Sequence, residues 1–230
     1  KKDEKVIQLG DSPLLSGSVH VLQVWCYESG HIANPQYGQG CEVGNAGWIQ
    51  IEAKDAQLQA QAKGATGFYR PEDLHLDPHF KGAGVRYCWT NTGNKQAHHY
   101  AEVMCAHDAQ PEVASSKKAT VVLNRFVEGD TEFNAFDNLD FQPSTGNLYI
   151  LEDTSFSDIL ACLPDSADRD IKSDGCIRIA SLKDPSAELT GFIFTQDGKT
   201  AFVSIQHSKD HRMPLFDAYP TDDILMITGW

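Results

Sequence analysis

The chain is short of positive charge. Lys and Arg total 19 against 32 Asp and Glu, a formal net charge of −13. Nucleic acid and anionic membrane surfaces bind through Lys and Arg, so neither suits this balance. Long apolar runs are also missing, with no window near the about 18 residues that a membrane-spanning helix needs. The opening "KKDEKVIQLG" has no initiator Met and no apolar stretch of a signal peptide. It is expected to be the start of a mature, cleaved or shortened product. No Cys-x-x-Cys occurs, which removes support for zinc ribbons, thioredoxin-like redox sites and c-type haem. Gly-x-Ser-x-Gly, Walker A and Gly-x-Gly-x-x-Gly fingerprints are absent as well. Helix formers are concentrated in one place, "AKDAQLQAQAKG" (Ala53–Gly64), which closes on a glycine.

What remains is a chain of 230 residues, 41% hydrophobic, enough for a core in one larger β domain or two small ones. Its excess acid suits hard cations such as Ca²⁺, which take oxygen ligands. Six cysteines, Cys26, Cys41, Cys88, Cys105, Cys162 and Cys176, fall into neighbours 15, 17 and 14 residues apart. Fifteen connectivities are open to six cysteines. Three local disulfides in an oxidising compartment are the expectation from proximity.

Three segments share one pattern: "EDLHLDPHFKGAGVRYCWTN" from Glu72, "DNLDFQPSTGNLYILED" from Asp137 and "TGFIFTQDGKTAFVSIQ" from Thr190. Each starts with a polar pair and alternates apolar residues: Leu74/Leu76, Leu139/Phe141, Phe192/Phe194. Each then turns through Pro, Gly or Asp-Gly into a second alternating run. This is the signature of a β-hairpin, and hairpins recurring at roughly 40–60 residues are expected of β-propeller blades. "GSVHVLQVW" (Gly17–Trp25) is a weaker copy of the second strand. "YAEVMCAHD", "KATVVLNRFVE" and "GCIRIASL" would be outer strands. The expected architecture is all-β, one propeller region over 1–230, with blade-like units near 14–52, 68–128, 133–182 and 188–230.

In a propeller the innermost strands surround a channel, and the polar residues just before them stand at one mouth. The alignment makes Glu72, Asp137 and Thr190 equivalent, and likewise Asp73, Asn138 and Gly191. Carboxylates from distant segments would meet at one axis, where rigid strand ends can offer oxygen ligands to a hard metal or frame a phosphate site.

"GATGFYRPEDLHLDP", "FDNLDFQPSTGNLYILED" and "ELTGFIFTQDGKTAFVSIQH", with the lead-in "LLSGSVHVLQVW…GWIQIE", resemble the second half of PhoX-type alkaline phosphatases. The likeness runs from about Leu14 to His207. It implies a six-bladed propeller of the periplasm or exterior that hydrolyses phosphate monoesters at a site of calcium and an iron pair. Residue by residue, it implies a phosphate contact for Arg70 and metal ligation for Glu72 and Asp137; the repeat alignment adds Asp73 and Asn138 as residues lining the same axis. The proline after Arg70 is expected to hold that arginine in extended backbone, pointing inward. The family's cysteine–glutamate iron motif has no counterpart in this chain, and its "PDN" reads "FDN" here. The resemblance thus implies a missing first half or a companion chain that completes the propeller and its metal site.

Two other readings share these residues. One is a non-catalytic propeller module, structural or binding, in a cell-surface or extracellular assembly. The other is a lactonase-like hydrolase with one calcium. Zinc finds no matching spacing: in the cluster His98, His99 and His107, adjacent His98 and His99 would face opposite sides of a strand, and His207 and His211 lie in a loop-like stretch. "DSADRDIKSDG" (Asp165–Gly175) lacks the glutamate that closes an EF-hand loop. Trp25, Trp48, Trp89 and Trp230 read as core or blade-edge aromatics.

Overall fold

Alternating side chains become strands because successive residues in extended backbone face opposite ways. The computed structural model describes residues 16–25, 43–114, 118–165, 175–208, 215–216, 219–220 and 222–229. Along the chain come β1 (Val19–Val24), β2 (Gly44–Ile51) and a single α-helix among the described residues, α1 (Ala56–Ala62). Then follow β3 (Pro71–Leu76), β4 (Val85–Asn91), β5 (Glu102–Asp108) and β6 (Val121–Glu128). After these stand β7 (Phe136–Phe141), β8 (Leu148–Glu152), β9 (Asp158–Cys162) and β10 (Ile177–Ser181). The last strands are β11 (Glu188–Phe194), β12 (Thr200–Gln206), β13 (Leu215–Phe216), β14 (Tyr219–Pro220) and β15 (Asp223–Thr228).

Three antiparallel sheets carry the fold: β1-β2-β6-β5-β4-β3, β10-β9-β8-β7 and β11-β12-β15. The sets β3 to β6 and β7 to β10 are up-and-down meanders, and all three sheets start from the first strand of an aligned hairpin. The architecture is all-β and built of propeller-like blades. β1 and β2, the heart of the stretch near 14–52, pair onto the outer strand β6 of the first sheet through Gly44 to Ala46 opposite Leu123 to Val121. The six-stranded sheet curls so that Val24 and Ala46 cover Trp89, Met104, Ala106, Val121 and Leu123 on its own face.

The blades pack face to face. Cys88, Val103, Cys105, Phe126 and Val127 of the first sheet meet Phe136, Leu139, Phe141, Leu148 and Ile150 of the second. Tyr149, Leu151 and Ile159, on the opposite face, meet Leu189, Phe192, Phe194, Ala201 and Val203 of the third. β8 therefore serves two interfaces with alternate residues, which is why "LYILE" is buried at every position. Cys88 and Cys105 stand directly opposite one another on β4 and β5 and are disulfide-bonded. Cys162 is bonded to Cys176, just before β10. Both pairs are the local ones that their spacing suggested, and both lie in the packing between the first two sheets. Cys26 and Cys41 lie outside the described residues, as do His211, Trp230 and most of the acidic stretch after Asp165. On the side of the third sheet turned away from β8, Ile193, Phe202 and Met226 form one cross-strand row, exposed by 58%, 37% and 63%.

Leu139 is fully buried between the first two sheets. Leu139→Ala should cost about 2–5 kcal/mol, the usual range for truncating a buried leucine. Chemical denaturation of the variant beside the wild type reads this directly.

Candidate functional site

The aligned polar pairs occupy one structural position. The pairing of β3 with β4 slips between Pro71 and Leu74, that of β7 with β8 between Phe136 and Leu139, and that of β11 with β12 between Thr190 and Phe192. Each slip inserts one extra residue into the first strand, so Glu72–Asp73, Asp137–Asn138 and Gly191 sit on equivalent β-bulges. A bulge re-aims side chains and frees backbone groups from the ladder. Here the freed groups join one blade to the next. Asp73 Oδ2 accepts from Leu139 N at 3.1 Å and from Asn138 Nδ2 at 3.4 Å. Asn138 Oδ1 in turn accepts from Gly191 N at 2.8 Å. Gly191 takes φ +56, a left-handed backbone that glycine adopts without a Cβ penalty.

Two residues before each of the first two bulges the chain makes the same kink. Arg70 has φ 53 and Ala135 φ 54. The expected extended backbone at Arg70 is thus not what forms. The arginine is left-handed because its carbonyl accepts from Thr92 N at 3.0 Å and Thr92 Oγ1 at 3.4 Å, while Tyr69 O accepts from Gly93 N at 3.2 Å. Asp153 N donates to Ala135 O in the same way, at 2.8 Å. These local bonds outweigh the preference that the following proline imposes.

The kinks and bulges collect charge at one end of the blades. Arg70 Nη2 stands 3.6 Å from Glu72 Oε1, both side chains well exposed. Asp137 is pushed up to about 6: burial is the largest cause, the charges of Glu72, Asp153 and Glu188 add to it, and Arg70 opposes it. Those residues therefore share one electrostatic neighbourhood across all three blades. Glu188 is held by Gln206 Nε2 at 2.8 Å and lies 3.7 Å from His207 Nε2. Glu152, one residue before Asp153 and buried, is raised to about 7, mainly by burial. The arrangement offers carboxylate oxygens and one guanidinium, the chemistry of a hard cation beside an anion.

Below this rim a second carboxylate pair is bridged by a histidine. His75 Nε2 lies 3.3 Å from Asp73 Oδ2, and His75 Nδ1 lies 3.3 Å from Asp140 Oδ1 on β7. Asp140 Oδ2 accepts from Phe194 N of β11 at 2.8 Å. Hydrogen bonds to Asp140 and then Asp73 raise His75 to about 10, so it is cationic at neutral pH. Burial pushes Asp73 up, but the bonds from His75, Leu139 N and Asn138 outweigh it and hold the carboxyl below its ordinary value.

The repeat pattern located Glu72, Asp73, Asp137 and Asn138, the family resemblance pointed to Arg70, and the five gather at one end of the first two blades. Asp73 and Asn138 spend their side chains on joining blades. Asp153, Glu188, His75 and Asp140 were missed. Extending the repeat alignment two residues upstream pairs Arg70, Ala135 and Glu188, and following each second strand to its end pairs Thr92, Asp153 and Gln206. The other histidines stand apart: His98 (φ 59) and His99 lie in a turn, not a strand, and His107 bonds Ala83 O at 2.8 Å. Among the described residues no group of three or more His, Cys, Asp or Glu side chains is gathered closely enough to hold a metal ion by itself. No helix among them is long and apolar enough to cross a membrane.

In comparison with known proteins, the family profile described as alkaline phosphatase PhoX matches residues 31–209. No curated protein matches the chain, and no solved structure does.

Two pH effects follow from this geometry. His75 is raised in the fold, so its contribution to stability is complete below pH 6.5 and lost progressively as pH rises to about 10. The stability gap between wild type and His75→Gln should close over that window in denaturant titrations. Asp137 is raised too, so above about pH 6 the fold carries an unfavourable carboxylate. Asp137→Asn should raise the thermal midpoint at pH 8 without divalent cations and leave it little changed at pH 4.

Proposed function

Because the chain belongs to the PhoX alkaline phosphatase family, we propose that its acidic rim is the cation- and phosphate-binding part of a phosphate monoester hydrolase. The observation that carries this is the union of Arg70 with Glu72 and Asp137, from two blades, in one charged neighbourhood. A guanidinium offers a planar fork of donors to phosphoryl oxygens and stabilises the charge that spreads over them in the transition state. Arg70 is partly exposed, and its left-handed backbone is clamped by Thr92, so its side chain is available to an anion from outside. Asp137 is poorly solvated and pressed by three like charges, a cost that a divalent cation would relieve.

Glu72 and Asp137 would hold calcium, whose preference for oxygen ligands they match. When bound, that ion would polarise the phosphoryl oxygens and favour an activated oxygen nucleophile. The rest of the work belongs to the chain: Asp153 and Glu188 add negative potential that favours the cation, Arg70 orients the phosphate, and the inter-blade bonds fix the spacing. Iron fits less well, since the four described cysteines are consumed in disulfides and offer no thiolate. No step is assigned to it. The two disulfides support residence in the periplasm or outside the cell. The exposed row of Ile193, Phe202 and Met226 supports further blades, in this polypeptide or a companion, that complete the ligand set.

In the full chain, p-nitrophenyl phosphate hydrolysis should require calcium. Arg70→Ala should lower kcat by about 100- to 1,000-fold, the scale of losing one donor to a developing oxyanion, and Glu72→Gln should abolish the calcium-dependent hydrolysis. Unchanged activity in Glu72→Gln would remove that residue from the mechanism. Neither hydrolysis nor calcium binding in the wild type would leave the binding-module reading.

A further inference from the structure

We propose that Thr90 is the positioning residue of this rim: its hydroxyl ties the bulge that presents Glu72 to the bulge that presents Asp137, and so sets how the two carboxylates face each other. The inference rests on the reading of Glu72 and Asp137 as cation ligands.

Thr90 lies on β4 and is fully buried. Its Oγ1 accepts from Asp73 N at 3.2 Å, the peptide N–H immediately after Glu72. The same oxygen donates to the carbonyl of Asp137 at 2.5 Å. One hydroxyl has one proton and accepting lone pairs, and here both capacities are used, on two different blades. Both backbone partners lie where their ladders are interrupted, so the bulges leave them in need of a bond that the strands do not supply. Thr90 thereby converts two separate irregularities into one rigid unit.

The link is specific to this junction. Trp89 lies opposite Leu74 and Ile150 opposite Leu139, so Leu151 is the counterpart of Thr90 in the second sheet. A leucine side chain can neither donate nor accept, so the second junction has the Asn138–Gly191 bond, the counterpart of Asp73–Leu139 in the first, without a hydroxyl link beside it at that position. Of these two aligned positions, the hydroxyl stands at the one between the blades that carry the proposed ligands. The threonine is itself held in a polar setting: its neighbour Asn91 accepts from Trp89 Nε1 at 3.1 Å and donates to buried Glu102 at 2.9 Å.

Calcium titration calorimetry on the full chain tests this, with thermal midpoints taken with and without calcium. Thr90→Val keeps the shape and removes the hydroxyl. It should weaken calcium binding by about 10- to 100-fold, as loss of groups that orient metal ligands does. Thr90→Ser keeps the hydroxyl and should stay within about threefold of the wild type, well under the tenfold that 1.4 kcal/mol represents. Should the valine variant not fold, Thr90→Ala against Thr90→Ser gives the same contrast. An equal loss of midpoint with and without calcium, at unchanged affinity, would mark Thr90 as merely structural and overturn the proposal. So would an equal loss of affinity in Thr90→Ser. A wild type that binds no calcium would overturn the proposed function and this inference together, an outcome distinct from a wild type and Thr90→Val that bind alike.

Discussion

The junction between the first two blades depends on the carboxylate of Asp73. Its Oδ2 accepts from the Leu139 amide and faces both Asn138 and His75. Three donors on one oxygen are favourable only if the carboxylate stays ionised, and those bonds keep it so. With the Thr90 hydroxyl, it holds the bulge of β3 against the bulge of β7. Glu72, Asp137 and Arg70 thereby keep a fixed relation across neighbouring sheets.

The anchor also explains a division of labour within each polar pair. The second member, Asp73 or Asn138, turns its side chain to the next blade and is consumed in structure. The first member, Glu72 or Asp137, is left to face the rim. In the third sheet the pair is Thr190–Gly191, where the glycine supplies a backbone amide in place of a side chain. The line of bonds thus runs one way around the blades, from Asp73 to Asn138 to Gly191, and the His75–Asp140–Phe194 line runs parallel to it one step further along the strands. Two layers of polar contacts over apolar interfaces give the blades an angular register that hydrophobic packing, being non-directional, does not provide.

Apolar burial sets how the sheets stack. β8 supplies Leu148 and Ile150 to one interface and Tyr149 and Leu151 to the other. The two disulfides stitch the first of these interfaces from opposite sides, Cys88–Cys105 within the first sheet and Cys162–Cys176 within the second. A rim built on such strands stays charged and partly solvated while its supports are rigid, which is the condition a binding site for small charged ligands needs.

The hairpins, their repeat and the positions of Glu72 and Asp137 are legible in the chain alone, because alternation with period two and turn residues are local properties; Arg70 comes from the family resemblance. Local cysteine spacing likewise anticipated both described disulfides. The rest depends on contacts between segments distant in the chain. Arg70 is left-handed because Thr92, on the neighbouring strand, clamps its carbonyl against the preference of the proline that follows. Asp153 and Glu188 join the rim because strand ends from other blades arrive there. His75 becomes a fixed cation because two carboxylates, Asp73 on its own strand and Asp140 from the next blade, close on its two nitrogens. Such effects come from groups distant in sequence acting at a few ångströms, and no local pattern carries that distance.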